Sequence, residues 1–312
     1  MHLALSFSLS AALAMPAAAQ IKLGIVGADT SHVIAFTRIL NDPKHPSHVP
    51  GARIVAAFKG GSPDVESSYT RVGKFTEELR TQYGIEIVPD IATLTSKVDG
   101  VLLESVDGRA HLPQFREIAK SGKPVFIDKP LASTLEDARE IARIGKESGT
   151  PWFSTSSLRY SEICLNWKSD KNLGVITWGP GPTEEHHYLD LSWYAIHPVE
   201  MLFTLMGPGC EEVTRTAGKD VDVVTCRWKD GRAGTVRAIR PSSDYGAIVF
   251  RQKEVLQSAK MRSDYAPMLK DVVRFFETRR PPVPNEETLE IFAFLDAAQR
   301  SKESGGKPVR LR

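Results

Sequence analysis

The spacing of apolar and polar positions changes near the middle of the chain. In the first half, short uninterrupted apolar runs recur between amphipathic stretches, as in strands that are buried on both faces of a parallel sheet. Strands that alternate with helices over this distance indicate repeated β–α–β units. The predicted strands are 22–27, 53–58, 86–88, a run around Val101, the run that ends at Lys129, and 151–157; the main helices between them are 31–41, 70–82 and 134–148.

From Leu158 onward, strand-like segments are separated by Gly, Lys and Asp turns. This spacing is typical of an antiparallel sheet rather than of β–α–β repeats. Two amphipathic segments, 266–278 and 286–304, close the chain and are expected to pack back on the first half. The sequence therefore predicts an α/β protein with a parallel-sheet domain at 20–158 and an α+β domain with an open antiparallel sheet at 159–312.

Residues 1–19 form a separate piece. An apolar segment, 3–14, is followed by Ala17-Ala18-Ala19 ahead of Gln20. An apolar core of this length with small residues at its end predicts a cleaved signal peptide, and hence a periplasmic or secreted protein. One feature argues against export: no Lys or Arg precedes the apolar core, so either the amino terminus alone supplies the positive charge or the start codon is misassigned.

Composition excludes several classes of function. The chain has 312 residues, 41% of them apolar, and a formal net charge of +2. It is long enough for two domains, and it lacks the long basic runs of nucleic-acid-binding proteins. No apolar stretch is long enough to span a bilayer. The three cysteines, Cys164, Cys210 and Cys226, show no close pairing and no metal-ligand spacing, and no metal site is predicted.

The segment 122–131 places one lysine, Lys129, at the end of an apolar strand. Open α/β sheets bind their ligands at the carboxyl ends of the strands, so Lys129 is a candidate for chemistry. The alternative is a strand-end lysine whose amine simply reaches solvent.

The strand at 98–103, the helical stretch with His111, the Asp-Lys-Pro sequence at 128–130 and a downstream histidine together resemble the glucose-fructose oxidoreductase / inositol dehydrogenase (Gfo/Idh/MocA) family. The resemblance runs from about Lys22 to the end, is most specific over 99–131, and returns weakly over 266–311. It implies a Rossmann-type first domain, an NAD or NADP cofactor, and an active cleft between the domains. It also implies cofactor contacts from Ser105, Asp107, His111, Lys129 and Pro130.

The phosphate-binding loop departs from the dinucleotide fingerprint, which needs three glycines. Gly27-Ala-Asp-Thr-Ser-His32 keeps only the first: Asp29 stands where the pyrophosphate approaches, and His32 stands at the helix-packing position. Thr30 and Ser31, with the loop N–H groups, could bind phosphate at the helix N-terminus. The alternative is that Asp29 or Ser31 only caps the helix and no dinucleotide binds.

The second strand ends at Lys59, where an acidic residue would hold the ribose of NAD. A cation beside a Gly-Ser turn suits a 2′-phosphate, which favours NADP over NAD; a solvated lysine in a turn is the alternative.

In the second domain the family usually carries an aspartate, a histidine four residues later and another acid three residues after that. This chain has Trp193, His197 and Glu200. The resemblance makes His197 a catalytic candidate beside Lys129, and Glu200, one helical turn away, its expected support. The alternative is a structural histidine. His187 and Trp193, with Glu200, are expected to line the substrate site. A metal site at His186 or His187 would need ligands from elsewhere in the chain.

The resemblance implies an NAD(P)-dependent oxidoreductase that transfers hydride at a carbinol carbon of a sugar, polyol or sugar derivative. Two alternatives stay open: an NAD-assisted enzyme that cleaves glycosides, and a non-catalytic accessory protein that binds a dinucleotide or sugar. If the protein is exported, its cofactor is expected to be tightly bound. An exposed sheet face favours a homo-oligomer.

Overall fold

The computed structural model describes residues 20–261 and 264–312, so the predicted signal peptide at 1–19 lies outside the described residues. Six parallel strands form the first sheet in the order β3-β2-β1-β4-β5-β6. Its strands are β1 (Ile21–Val26), β2 (Ala52–Phe58), β3 (Glu86–Val88), β4 (Gly100–Leu103), β5 (Val125–Ile127) and β6 (Trp152–Ser154). The helices of this part are α1 (His32–Asn41), α2 (Glu66–Tyr69), α3 (Val72–Tyr83), α4 (Ile91–Lys97), α5 (Gly108–Ala119) and α6 (Leu135–Ser148).

Local sequence explains these helix starts. Asp90, Asp107 and Thr134 each accept a hydrogen bond from a main-chain N–H in the first turn of the following helix, which satisfies a donor that has no partner within the helix. β4 and β5 are buried along their whole length because helices cover both faces of the sheet. The strand order reverses between β1 and β4, so the crevice that binds ligands in such sheets lies at the carboxyl ends of these strands.

The second sheet has seven strands in the order β12-β11-β7-β10-β9-β8-β13. Its strands are β7 (Gly174–Pro180), β8 (Cys210–Ala217), β9 (Val221–Trp228), β10 (Ala233–Ile239), β11 (Gly246–Phe250), β12 (Val255–Ser258) and β13 (Val309–Arg310); helices α7 (Glu162–Trp167) and α8 (Ile196–Met206) accompany them. The predicted α/β class with two domains is confirmed, with one correction: β7 and β10 pair in parallel, so this sheet is mixed and not wholly antiparallel.

Two closing helices, α9 (Ala266–Thr278) and α10 (Asn285–Glu303), complete the fold. α9 packs on the first sheet, where Phe275 and Phe276 share a core with Leu23 and Phe153. α10 packs mainly on β8 and also contacts α6 and β6, so it joins the two parts of the chain.

Two further properties of the described residues concern the cysteines and the lengths of the helices. All three cysteines are buried and free. Across 20–261 and 264–312, every helix is too short or too polar to cross a bilayer.

Candidate functional site at the switch point

Lys129 lies at the carboxyl end of β5, next to the strand-order reversal, and its side chain is partly buried. Its main-chain N–H donates to Asp128 Oδ1 at 2.8 Å, and its Nζ lies 5.6 Å from the ring centre of Tyr194 in the second domain. Burial lowers the pKa of Lys129, although the nearby Asp128 carboxylate opposes this effect. The lysine thus faces the second domain with an amine that loses its proton more readily than a surface lysine.

Asp128 pairs with His32, the first residue of α1. The His32 Nδ1 atom lies 2.6 Å from Asp128 Oδ2, and the imidazole packs against the rings of Phe36 and Tyr265. Burial acts to raise the pKa of Asp128, but the charge and hydrogen bond of His32 outweigh it and hold that pKa below its usual value. His32 was expected at the helix-packing position of the loop after β1, and it lies at that position. It also contacts Asp128, the residue before Lys129.

Glu104 follows β4 and completes this part of the cleft. Its side chain is fully buried, and neither carboxylate oxygen has a hydrogen-bond partner. Burial, and then the negative charges of Asp128 and Asp29, raise the pKa of Glu104 far above its usual value. No motif in the sequence identified Glu104 as a site residue. The one indication in the sequence is that an acidic side chain follows an otherwise apolar strand.

Asp29 is buried in the loop after β1. Its Oδ2 accepts a hydrogen bond from the Ser68 hydroxyl (2.6 Å), and its Oδ1 accepts one from the Val106 N–H (2.9 Å). Burial raises the pKa of Asp29 although both hydrogen bonds lower it. The carboxylate therefore bridges the β1 loop to α2 and to the β4 loop, at the position where the dinucleotide fingerprint has a glycine.

Gly27 is required by close packing between loops. Its φ is +89°, and a Cβ atom at this position would lie 2.2 Å from the Ser105 Oγ. The Ser105 hydroxyl itself donates to Gln114 at 2.8 Å. At the start of α1, Ser31 is exposed, whereas Thr30 is buried and its hydroxyl accepts a hydrogen bond from the His32 N–H at 3.4 Å.

Asp107 lies in the loop after β4, and its side chain joins the two domains. It accepts hydrogen bonds from Ser62 (2.7 Å) and Arg109 (2.8 Å), and the His187 Nε2 atom lies 3.0 Å from it. Burial acts to raise the pKa of Asp107, yet the hydrogen bonds from His187, Arg109 and Ser62 outweigh it and hold the pKa far below the usual range. Lys59, at the end of β2, is exposed.

Two expected contacts change their role. His111 is fully buried, and its ring nitrogens face the carbonyl oxygens of Ser105 (2.8 Å) and Leu131 (3.2 Å). Its ring thus holds two loops together and offers no nitrogen to a cofactor, contrary to the direct contact that was expected. His187 is buried against Asp107 and against the edge of Trp193, so it connects the domains rather than lining a substrate pocket. Trp193 itself is only 8% exposed.

His197 lies in the first turn of α8 and is buried. Its Nδ1 atom is 2.6 Å from the Ser156 Oγ, and Tyr245 packs edge-on against the ring. Burial, followed by the positive charge of Lys129 and then that of His32, lowers the pKa of His197 well below 6.5. The histidine and the lysine are thus close enough in the structure for one charge to affect the other.

Glu200 does not support His197, contrary to expectation. It accepts hydrogen bonds from the Thr155 hydroxyl (2.6 Å) and from Arg159 Nε (2.8 Å). The partner of His197 is Ser156, which precedes the second domain and carried no sequence signal. Because Glu200 is buried in this ion pair, it is not placed to contact a substrate.

These elements define a class: a two-domain α/β protein with a Rossmann-type sheet and a lysine in the interdomain cleft. Residues 21–155 match the model of the Gfo/Idh/MocA family, described as an oxidoreductase family with an NAD-binding Rossmann fold. This match covers the first domain, and it confirms the resemblance and, at the level of the family, the oxidoreductase class.

Solved structures agree with this fold over nearly the whole chain. A putative myo-inositol dehydrogenase from Sinorhizobium meliloti is 16% identical, with 94% of this chain and 100% of that chain covered and a TM-score of 0.74. Myo-inositol dehydrogenase from Lactobacillus casei, in complex with NAD(H) and myo-inositol, is 17% identical (94% and 98% covered, TM-score 0.73).

The WlbA dehydrogenase from Bordetella pertussis, in complex with NADH and UDP-GlcNAcA, is also 17% identical (94% and 99% covered, TM-score 0.73). Identities this low establish a shared fold alone. No curated protein matches the sequence significantly.

Residues in the loops after β1 and β2 suit the phosphate groups of the family's cofactor. Thr30 and Ser31 stand at the N-terminus of α1, and the exposed Lys59 stands at the end of β2. In the loop after β1, Asp29 occupies the position of a fingerprint glycine and accepts a hydrogen bond from the Ser68 hydroxyl. The raised pKa of Asp29 lowers the cost of protonating it, which would remove the charge that opposes a phosphate.

Proposed function

We propose that this protein is an NAD(P)-dependent oxidoreductase that acts on a CH–OH group of a sugar, polyol or sugar derivative. The observation that supports this proposal is that Lys129 and His197 lie close enough for the charge of the lysine to act on the histidine, and each has a lowered pKa. Groups with perturbed pKa values in a cleft are candidates for proton transfer. The complexes of the L. casei and B. pertussis relatives, which contain myo-inositol and UDP-GlcNAcA, support the substrate class.

The dinucleotide, when bound, would supply the hydride acceptor. Lys129 would donate a hydrogen bond to the reacting oxygen and stabilise its developing negative charge. His197 is neutral at neutral pH because its pKa is well below 6.5. If its Nδ1–H donates to the Ser156 Oγ, which lies at 2.6 Å, its Nε2 has a free lone pair and can take the hydroxyl proton.

Tyr194 is the aromatic residue best placed to meet a sugar ring. Its side chain is exposed at 40% and lies below the Lys129 amine. Aromatic faces pack on the apolar faces of sugars, and the amine above the ring would then meet a hydroxyl. Tyr194 is therefore proposed to line the substrate site in place of the buried Trp193.

NADP is proposed over NAD because Lys59 is exposed at the end of β2, where a 2′-phosphate would lie. We further propose that the protein is exported and holds its cofactor through repeated turnovers, since no pool of free nucleotide is maintained outside the cytoplasm. The test is the absorbance and mass spectrum of the nucleotide that remains on purified mature protein after extensive dialysis. Stoichiometric nucleotide supports retention, and its mass distinguishes NADP from NAD; a folded protein without nucleotide contradicts retention.

A non-catalytic accessory role is the second candidate, and the Asp29–Ser68 hydrogen bond favours it because Asp29 occupies the position of a fingerprint glycine. Failure of added NAD and NADP to bind the folded protein would favour this role. Release of a monosaccharide without net reduction of cofactor would instead identify the glycoside-cleaving alternative.

The proposed homo-oligomer would use the outer face of the second sheet. Ile176 and Trp178 on β7 and Ile248 on β11 are only partly buried there, and Phe250 is 39% exposed. Apolar groups that share one sheet face commonly mark an interface. Sedimentation equilibrium measures the state directly, and a monomer at micromolar concentration would contradict the proposal.

A further inference from the structure

Three side chains that could bind a metal meet at the carboxyl edge of the first sheet. His32 opens α1, just beyond β1; Glu104 follows β4; and Asp128 follows β5. The strands hold these positions together, because the Glu104 N–H donates to the Val26 carbonyl and the Asp128 N–H donates to the Leu103 carbonyl, both at 2.8 Å. One nitrogen or oxygen atom from each of the three side chains lies within 4.8 Å of the other two.

Glu104 points to a missing ligand. Its side chain is fully buried, and neither oxygen has a hydrogen-bond partner. An ionised carboxylate in this position is unfavourable unless a cation or a set of donors compensates it. Protonation alone would leave a buried O–H that also lacks a partner. A cation shared with Asp128 and His32 would compensate this carboxylate, with the His32 Nδ1 atom exchanging its contact with Asp128 for the metal.

We propose that His32, Glu104 and Asp128 bind one divalent first-row transition-metal ion. One imidazole and two carboxylates form a donor set that suits Zn²⁺, Mn²⁺ or Fe²⁺, and three protein ligands leave a position open for water. The His32 ring is already fixed between Phe36 and Tyr265. The site lies one residue from Lys129, but its occupation does not depend on the proposed reaction.

The experiment uses the full mature chain, stripped with a chelator and titrated with Zn²⁺ alone or with Mn²⁺ alone. We expect one tightly bound equivalent by mass spectrometry of the metal content after gel filtration, and a higher Tm of the wild-type protein with metal than without. The Glu104→Gln variant should lose this equivalent and the metal-dependent rise in Tm.

His186→Gln is the matched control. His186 forms a second group of a histidine with carboxylates, 2.6 Å from Glu184 and 3.7 Å from Asp64, but its side chain is 30% exposed. This variant should keep the full equivalent of metal. If Glu104→Gln does not fold, His32→Gln replaces it with the same expected loss. The proposal is wrong if the stripped wild type binds neither ion, if Glu104→Gln retains the equivalent, or if His186→Gln loses it.

Discussion

At the residue scale, burial sets the proton affinity of the two cleft residues. It lowers the pKa of Lys129 and of His197, and the charge of Lys129 lowers that of His197 further. Burial disfavours the charged form of a cationic side chain, and a neighbouring positive charge acts in the same direction. An amine and an imidazole that lose protons readily are the groups that a proton relay needs.

Lys129→Met should reduce kcat by about 10²-fold, the usual scale for the loss of a positioned proton donor or electrostatic contact. Folding should be almost unaffected, because the amine lies at the end of a strand and outside the core. Lys123→Met, at the opposite end of β5, is the control and should keep wild-type kcat. Near wild-type turnover of Lys129→Met in steady-state assays would exclude a catalytic role for this lysine.

His197 gives a test through pH. Because its pKa is well below 6.5, the acidic limb of kcat/KM should lie below pH 6.5 in the wild type. His197→Asn should abolish this limb. Glu200→Gln should leave the limb in place and lower Tm instead, since Glu200 pairs with Arg159 and not with the ring. A limb that moves in Glu200→Gln but persists in His197→Asn would show that the assignments are reversed.

At the element scale, the loop after β1 departs from the phosphate-binding fingerprint at Asp29 and His32, and Asp29 ties this loop to α2 and to the β4 loop. Asp29→Gly removes the carboxylate and its bond to Ser68. We expect the affinity for NAD(P) to rise by at least about 10-fold, or about 1.4 kcal/mol, as measured by calorimetry.

Asp29→Asn separates charge from volume, because the amide keeps the size and loses the charge. If the affinity of Asp29→Asn for NAD(P) rises as much as that of Asp29→Gly, the charge of Asp29 causes the obstruction. If the affinity rises in Asp29→Gly alone, the volume of the side chain causes it. No increase in either variant would show that Asp29 does not obstruct the cofactor.

The packing of α9 on β4 is the second test at this scale. A Cβ at Gly100 would lie 2.4 Å from the Phe276 ring, so the helix can pack this closely only on a glycine. Gly100→Ala should destabilise the fold by about 1–3 kcal/mol, the usual cost of overpacking, in urea unfolding. Gly73→Ala is the matched control: nothing lies within 4 Å of its added Cβ in α3, and helix propensity should make it neutral or slightly stabilising.

At the scale of the whole molecule, a buried polar contact joins the second domain to the first. Asp107, with a pKa far below 3.8, bonds Ser62 and Arg109 in its own domain and His187 in the other. A carboxylate whose pKa is lowered in the folded state stabilises the fold above its unfolded pKa, and the contribution is lost as pH falls from about 4.

Asp107→Asn should therefore destabilise the protein by about 2 kcal/mol or more at pH 7, where the wild type has the full contribution. The difference in unfolding free energy between the two proteins should shrink at pH 3 and below. Denaturant unfolding at both pH values measures it. Equal differences at the two pH values would mean that the interdomain contact does not depend on the charge of Asp107.

Much of the architecture could be read from local pattern. The apolar runs at β4, at β5 and in the second half of β1 predict buried parallel strands, because strands covered on both faces are apolar at consecutive positions. The location of Lys129 at the ligand-binding edge of the sheet could be predicted because it follows an apolar strand. The parallel pairing of β7 with β10 could not be predicted, because the path of the chain between two strands sets their pairing direction and the strand sequences do not record it.

The family, the two sheets and the lysine at a strand end were determined by the sequence, since each depends on short-range periodicity or on a contiguous motif. The partners of the site residues were decided by the tertiary structure alone. Glu200 accepts a hydrogen bond from Arg159, the His197 ring contacts the Ser156 hydroxyl, and the His187 ring contacts the Asp107 carboxylate. These pairs join segments 40 or more residues apart, and a buried polar group bonds whichever partner the packed backbone brings within about 3 Å.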